Sequence, residues 1–176
     1  MKSVLRYTAA GVALATVGFA SAAQAATANA DATAEILSTL QVTVVTTDRT
    51  LDFGDIADAG LAGTSTVVVD PAGARTCGAN LTCSGTTEAP TFNVSGLVGS
   101  TVNISFPNAS APLTYGGAVP TGMTGTMTVD TFTSSAASLS LVAGTGSFTI
   151  GGTLTVNPLQ APGVYTGSVA VEVLYN

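Results

Sequence analysis

Short apolar–polar alternations, each a few residues long and separated by Gly, Pro, Asn and Asp, recur from Leu40 to Asn176. A period of two places successive side chains on opposite faces of an extended chain, which is the mark of a half-buried strand. The pattern predicts strands at Leu40–Thr46, Thr64–Asp70, Thr91–Gly96, Thr101–Phe106, Gly122–Phe132, Ser138–Val142, Ser147–Val156 and Val164–Tyr175. The last is the most regular. Tyr165, Val169, Val171, Val173 and Tyr175 share one face, and Thr166, Ser168, Ala170 and Glu172 share the other. Between the last two strands, Asn157 to Gly163 turn the chain back, which predicts that the two pair antiparallel. No window holds a sustained 3.6-residue period with caps. The expected class is all-β, a sandwich of about seven to nine short strands. A final strand running to the last residue has no successor to cover its edge, and bare edges are templates for another chain.

The alternation also extends upstream of the first core strand. Ala28, Ala30, Ala32, Ala34 and Ile36 occupy even positions, while Asn29, Asp31, Thr33 and Glu35 lie between them. Alternation from Thr27 to Val44 would make one strand of about 60 Å at ~3.3 Å per residue. Ordinary strands are about 17–20 Å. The stretch therefore divides into a strand-like extension, residues 26–38, and a core domain, residues 39–176, with the joint where the alternation slips at Leu37-Ser38.

Ahead of the extension, residues 1–25 have the build of a secretory signal. Lys2 and Arg6 give a basic start, Thr8–Ala20 an apolar run, and Ala23-Gln24-Ala25 a small-x-small cleavage pattern. The run is too short to cross a bilayer at about 20 residues per crossing. The mature chain is expected to be exported to the periplasm and then the cell surface or exterior, without membrane insertion. It would keep only two cations, Arg49 and Arg75, against ten acids, a formal charge of −8. Phosphate backbones are held by arrays of Lys and Arg, so nucleic acid is not an expected partner. Export also places Cys77 and Cys83 in an oxidising compartment, where they are expected to pair. The loop they close is short, so the bond is expected to pin a loop tip or local hairpin, not to join two sheets.

The chemistry of catalysis is thin. Histidine is absent, which removes the usual general base and the commonest metal ligand. Lysine is absent beyond the signal, which removes Ser-Lys dyads and Schiff bases. Gly116-Gly117 and Gly151-Gly152 lack the strand–loop–helix setting of phosphate loops and read as bulges or turns. Asp52, Asp55 and Asp58 recur every third residue, which does not match the ligand spacing of a calcium loop. Acids can be paired on paper as a hydrolase would need, but no Trp platform accompanies them. Four Asn-x-Ser/Thr sequons, at Asn80, Asn93, Asn103 and Asn108, read as incidental in so Ser/Thr-rich a chain. No enzyme activity, cofactor or metal is expected.

L-D-F-G-D-I at Leu51–Ile56, V-D-P-A-G at Val69–Gly73 and the G-x-Y-x-G-x-x-x-V-x-V-x-Y-N close at Gly163–Asn176 together resemble the bacterial domain-of-unknown-function 4402 family. That family is in turn similar to the spore-coat-U-like subunits of archaic chaperone–usher pili. The resemblance implies an incomplete immunoglobulin-like, pilin-like sandwich that polymerises when one subunit's N-terminal extension supplies another's missing strand. It implies a donor segment at residues 26–38, with Ala28, Ala30, Ala32, Ala34 and Ile36 facing the acceptor groove. It implies that the strand carrying Tyr165, Val169, Val171, Val173 and Tyr175 is one lip of that groove. Leu51 and Phe53 would be core residues, with Gly54 at a turn. Partners would be copies of the chain or related subunits, with a periplasmic chaperone and an outer-membrane usher.

This chain departs from pilins in its donor, where bulky apolar residues are usual and four of five here are alanine. Four buried methyls contribute roughly 3 kcal/mol, about as much as one or two Ile side chains, and ladder hydrogen bonds add ~1 kcal/mol net each. Two outcomes therefore stand side by side: donation to a second copy, or an extension that folds back to complete its own sandwich as an adhesion or matrix module.

Overall fold

The computed structural model describes residues 30–58 and 61–176. The signal-like segment 1–25 and the start of the extension, including Ala28, lie outside the described residues. The chain divides into two compact units at Glu35/Ile36. Of the first unit the described part, residues 30–35, is exposed and forms neither helix nor strand. The second carries all the regular structure, and among the described residues it is entirely β.

Among the described residues thirteen strands follow one another: β1 Gln41–Val44, β2 Asp55–Asp58, β3 Ser65–Val69, β4 Arg75–Cys77, β5 Leu81–Ser84, β6 Thr91–Ser95, β7 Thr101–Ser105, β8 Ser110–Tyr115, β9 Thr126–Ser134, β10 Ser138–Ser140, β11 Thr145–Val156, β12 Tyr165–Thr166 and β13 Glu172–Tyr175. The large sheet runs β1-β6-β11-β9-β8-β12, with β3 also on β11 and β4 on β3; β10-β7-β13 and β2-β5 form smaller sheets. Every named strand pair is antiparallel. The arrangement is sandwich-like, as the alternation predicts. The strand count is higher because β2, β4 and β5 are short and half polar, because Pro112 masks the alternation of Ala111, Leu113 and Tyr115 in β8, and because the last expected strand divides into β12 and β13. Pro112 is tolerated where the neighbouring β12 pairs only at Thr114 and Tyr115.

The twelve-residue β11 is the spine of both cores. Its first half pairs with β6 and sets Phe148 and Ile150 into a cluster with Val94, Val102, Leu141 and Val173. Its second half lies between β3 and β9 and sets Leu154 and Val156 among Phe53, Val67, Val69 and Val129. A β-bulge separates the halves. Between the Gly151–Thr133 and Thr153–Asp130 partners, Thr131 and Phe132 of β9 oppose the single residue Gly152. Thr131 takes a left-handed φ of 49° to make room. A Cβ on Gly152 would meet Phe132 and Val129 at 3.2 and 3.1 Å. The glycine pair thus serves the bulge expected of it.

Two sequence expectations are corrected here. The strand foreseen from Val164 to Tyr175 is interrupted: Gly167–Val171 pair with no strand, β12 joins β8, and β13 joins β7 in a different sheet. Nor does this segment pair with β11, whose flanks are already taken by β3, β6 and β9. The Asn157–Gly163 turn therefore carries the chain past β11, not back alongside it. The second correction concerns the disulfide. Cys77 and Cys83 pair, with Cα atoms 6.1 Å apart, but they join β4 of the large sheet to β5 of the two-stranded one. The Arg75 guanidinium ties the same region, donating to the carbonyls of Phe53 at 3.1 Å and Ser84 at 2.7 Å. Closing so short a loop contributes about 2 kcal/mol in the chain-entropy account. Replacing both cysteines by serine is expected to lower the urea-unfolding stability by about that amount while the fold persists.

Candidate functional site

β1 hydrogen-bonds only to β6, and β13 only to β7, so each leaves an edge without a ladder among the described residues. The second apolar cluster lies between their two sheets. On one flank those sheets are joined directly, because β10 leads through a tight Leu141–Gly144 turn into β11. On the other flank no strand joins β1 to β13 among the described residues.

Tyr175 marks one end of this open flank. Its hydroxyl accepts from the Leu97 N–H at 2.7 Å and donates to the Ser38 carbonyl at 3.0 Å. A Cβ on Gly96 would meet the Tyr175 hydroxyl and Leu40, so the chain enters the domain beneath this ring. Tyr175→Phe strands the half-buried Leu97 N–H and is expected to cost about 1–2 kcal/mol in urea unfolding. The other end of the flank is wider. There a groove of about 480 Å³ opens between the end of β1 and the unpaired segment Gly167–Val169. Its walls include Val44, Leu51, Phe53, Phe92, Ile150 and Val169, and Arg49 stands at its rim.

The sequence-assigned lip residues fall on this flank with the expected alternation. Val173 is buried, and Val169, Val171 and Tyr175 are half-buried against the same cluster, while Ser168, Ala170, Glu172 and Leu174 are exposed. Tyr165 plays a different part. Its ring packs on Tyr115 with centroids 5.5 Å apart, and its hydroxyl donates to Ala161 at 2.7 Å, so it closes the far end of the groove. Leu51 packs on the first cluster and Phe53 is buried within it; Gly54 turns at φ 72°.

Of the donor candidates, Ala30, Ala32 and Ala34 are exposed and in no strand, and Ile36 is 95% exposed. A large aliphatic side chain left so fully in water is the costliest feature of the extension, since burying one contributes about 1.5–3 kcal/mol. Two of the three aspartates serve local turns: Asp52 accepts from the Gly54 N–H at 2.8 Å and Asp58 from the Leu61 N–H at 2.6 Å. Sequence reasoning missed the groove walls Val44 and Phe92 and the rim cation Arg49. The walls come from separate strands, so no local pattern unites them. Arg49 carried one available signal, being one of only two cations beyond the signal segment.

The model of a family described as "Domain of unknown function (DUF4402)" matches residues 40–175. No curated protein and no solved structure matches.

Proposed function

We propose, from the premise that this chain belongs to the domain-of-unknown-function 4402 family, that it is a secreted, non-enzymatic structural subunit that assembles into a pilus-like surface polymer by β-strand donation. The observation that carries this reading is the open flank between β1 and β13. β1 and β13 each keep a bare edge, and at one end of this flank an apolar groove opens between the end of β1 and the unpaired segment Gly167–Val169; exposed edges of this kind are completed by β-augmentation. The same chain carries an alternating extension, residues 26–38, whose described part is exposed and unpaired. Groove and ribbon are thus present in one polypeptide. The exported location, the use of a periplasmic chaperone and outer-membrane usher, and the likeness to spore-coat-U-like pilins belong to the same proposal.

The mature protein is expected to give a ladder of multimers at integer multiples of the subunit mass in size-exclusion chromatography with light scattering. A single monomeric species at every concentration would contradict the reading. That result would instead support a self-contained sandwich acting as an adhesion or matrix module.

A further inference from the structure

The direction of the chain at the open flank sets which way a ribbon has to run when it is donated by a copy stacked end-on at the groove. β1 starts beneath Tyr175 and proceeds toward the wide groove, since Gln41 opposes Ser95 and Val44 opposes Phe92. The C-terminal segment proceeds the opposite way, from Thr166 at the groove to Tyr175. The extension leaves the domain at the Tyr175 end. A second copy stacked end-on at the groove end therefore feeds its extension in with the Ser38 side at the groove and the Ala30 side toward Tyr175. That ribbon is antiparallel to residues 167–175.

The pleat then sets the parity of the register, and side-chain bulk selects among the pairings of that parity. Inward residues of the acceptor are odd-numbered, from Val169 to Tyr175, and apolar residues of the extension are even-numbered. With inward matched to inward and the bulky Ile36 set at the groove beside Val169, Ala34 falls opposite Val171, Ala32 opposite Val173 and Ala30 opposite Tyr175. The one bulky side chain of the run lands where the flank widens to about 480 Å³, and the alanines land along the remainder. Glu35 then points outward at the rim, next to Arg49 of the acceptor. Arg49 is exposed, whereas the other described cation, Arg75, is already held by carbonyls.

We infer that Ile36 of a second copy is the anchor of the donated strand, seated in the groove between Val44 and Val169 with its neighbour Glu35 facing Arg49. The inference rests on the strand-donation reading and adds its polarity, register and charge contact. A fold-back within one chain gives a different geometry. From a tight turn at Ser38-Thr39, Ile36 would come to lie beside Gln41 at the Tyr175 end, away from the groove.

The test uses exposed positions, so that folding is not at stake. Leu37→Cys in one mature chain and Ser168→Cys in another are mixed under mild oxidation, because the register makes these residues neighbours within disulfide reach. Leu37→Cys with Asn176→Cys is the control for the reverse direction. A covalent dimer with Ser168→Cys, lost with Asn176→Cys, is the expected result. A dimer only with Asn176→Cys, or multimers that cross-link at neither position, overturns the anchor while leaving strand donation intact. Absence of multimers from the unsubstituted chain overturns donation itself. As a second arm, Arg49→Glu is expected to slow multimer formation several-fold at low salt, with the rate restored by Glu35→Arg in the donor. No slowing, or no restoration, removes the charge contact.

Discussion

Deleting residues 26–38 will abolish multimers and leave a folded, soluble monomer. The described part of that segment contributes no strand, and Ile36 stands almost wholly in water. The domain keeps both apolar clusters without it. Among the described hydrogen bonds, it loses only that of Tyr175 to the Ser38 carbonyl, worth about 1 kcal/mol. Stability in urea should therefore change by no more than about that amount, while assembly is lost altogether. A synthetic Ala26–Ser38 peptide should bind the truncated monomer at the open flank. The opposite outcome, a deleted chain that no longer folds, would mean that the extension completes its own sandwich.

The second large effect is on the fold. Phe148→Ala will destabilise the domain by about 3–5 kcal/mol, a large fraction of the ~5–15 kcal/mol typical of a native domain. Phe148 is buried on β11, stacks on Phe92 at 5.3 Å between centroids, and holds the cluster that lines the open flank. The cavity cannot be refilled readily, because the Phe148 backbone is fixed in a ladder with β6. Thermal or urea unfolding monitored by circular dichroism measures the loss directly. Multimers should weaken in step, since the floor of the groove is built on the same strand.

How far the sequence foretells this architecture depends on where the apolar alternation lies. β3, β6, β7 and β11 were legible because Val67 and Val69, Val94, Val102 and Phe148 to Val156 repeat at a period of two over a buried face. β4 and β5 were not, since Arg75–Cys77 and Leu81–Ser84 are short and half polar, fixed by the disulfide and by Arg75. The final segment teaches a subtler point. Its alternation from Val169 to Tyr175 marks one inward face, yet the same pattern fits a segment that changes sheets midway. Alternation reports which side is buried, not which neighbour supplies the hydrogen bonds. For the candidate site, the alternations of Val169–Tyr175 and of residues 26–38 are visible as local patterns. The groove was not, because Val44, Leu51, Phe92 and Val169 meet only through tertiary folding.

Backbone amide hydrogen exchange on the mature protein, compared between isolated monomer and multimer, tests most directly whether a second copy closes the open flank. Amides of residues 30–37 and of Gly167–Val171 should exchange quickly in the monomer and become protected together in the multimer. Multimers in which both segments still exchange at the monomer's rate would show that the subunits are held by some other surface.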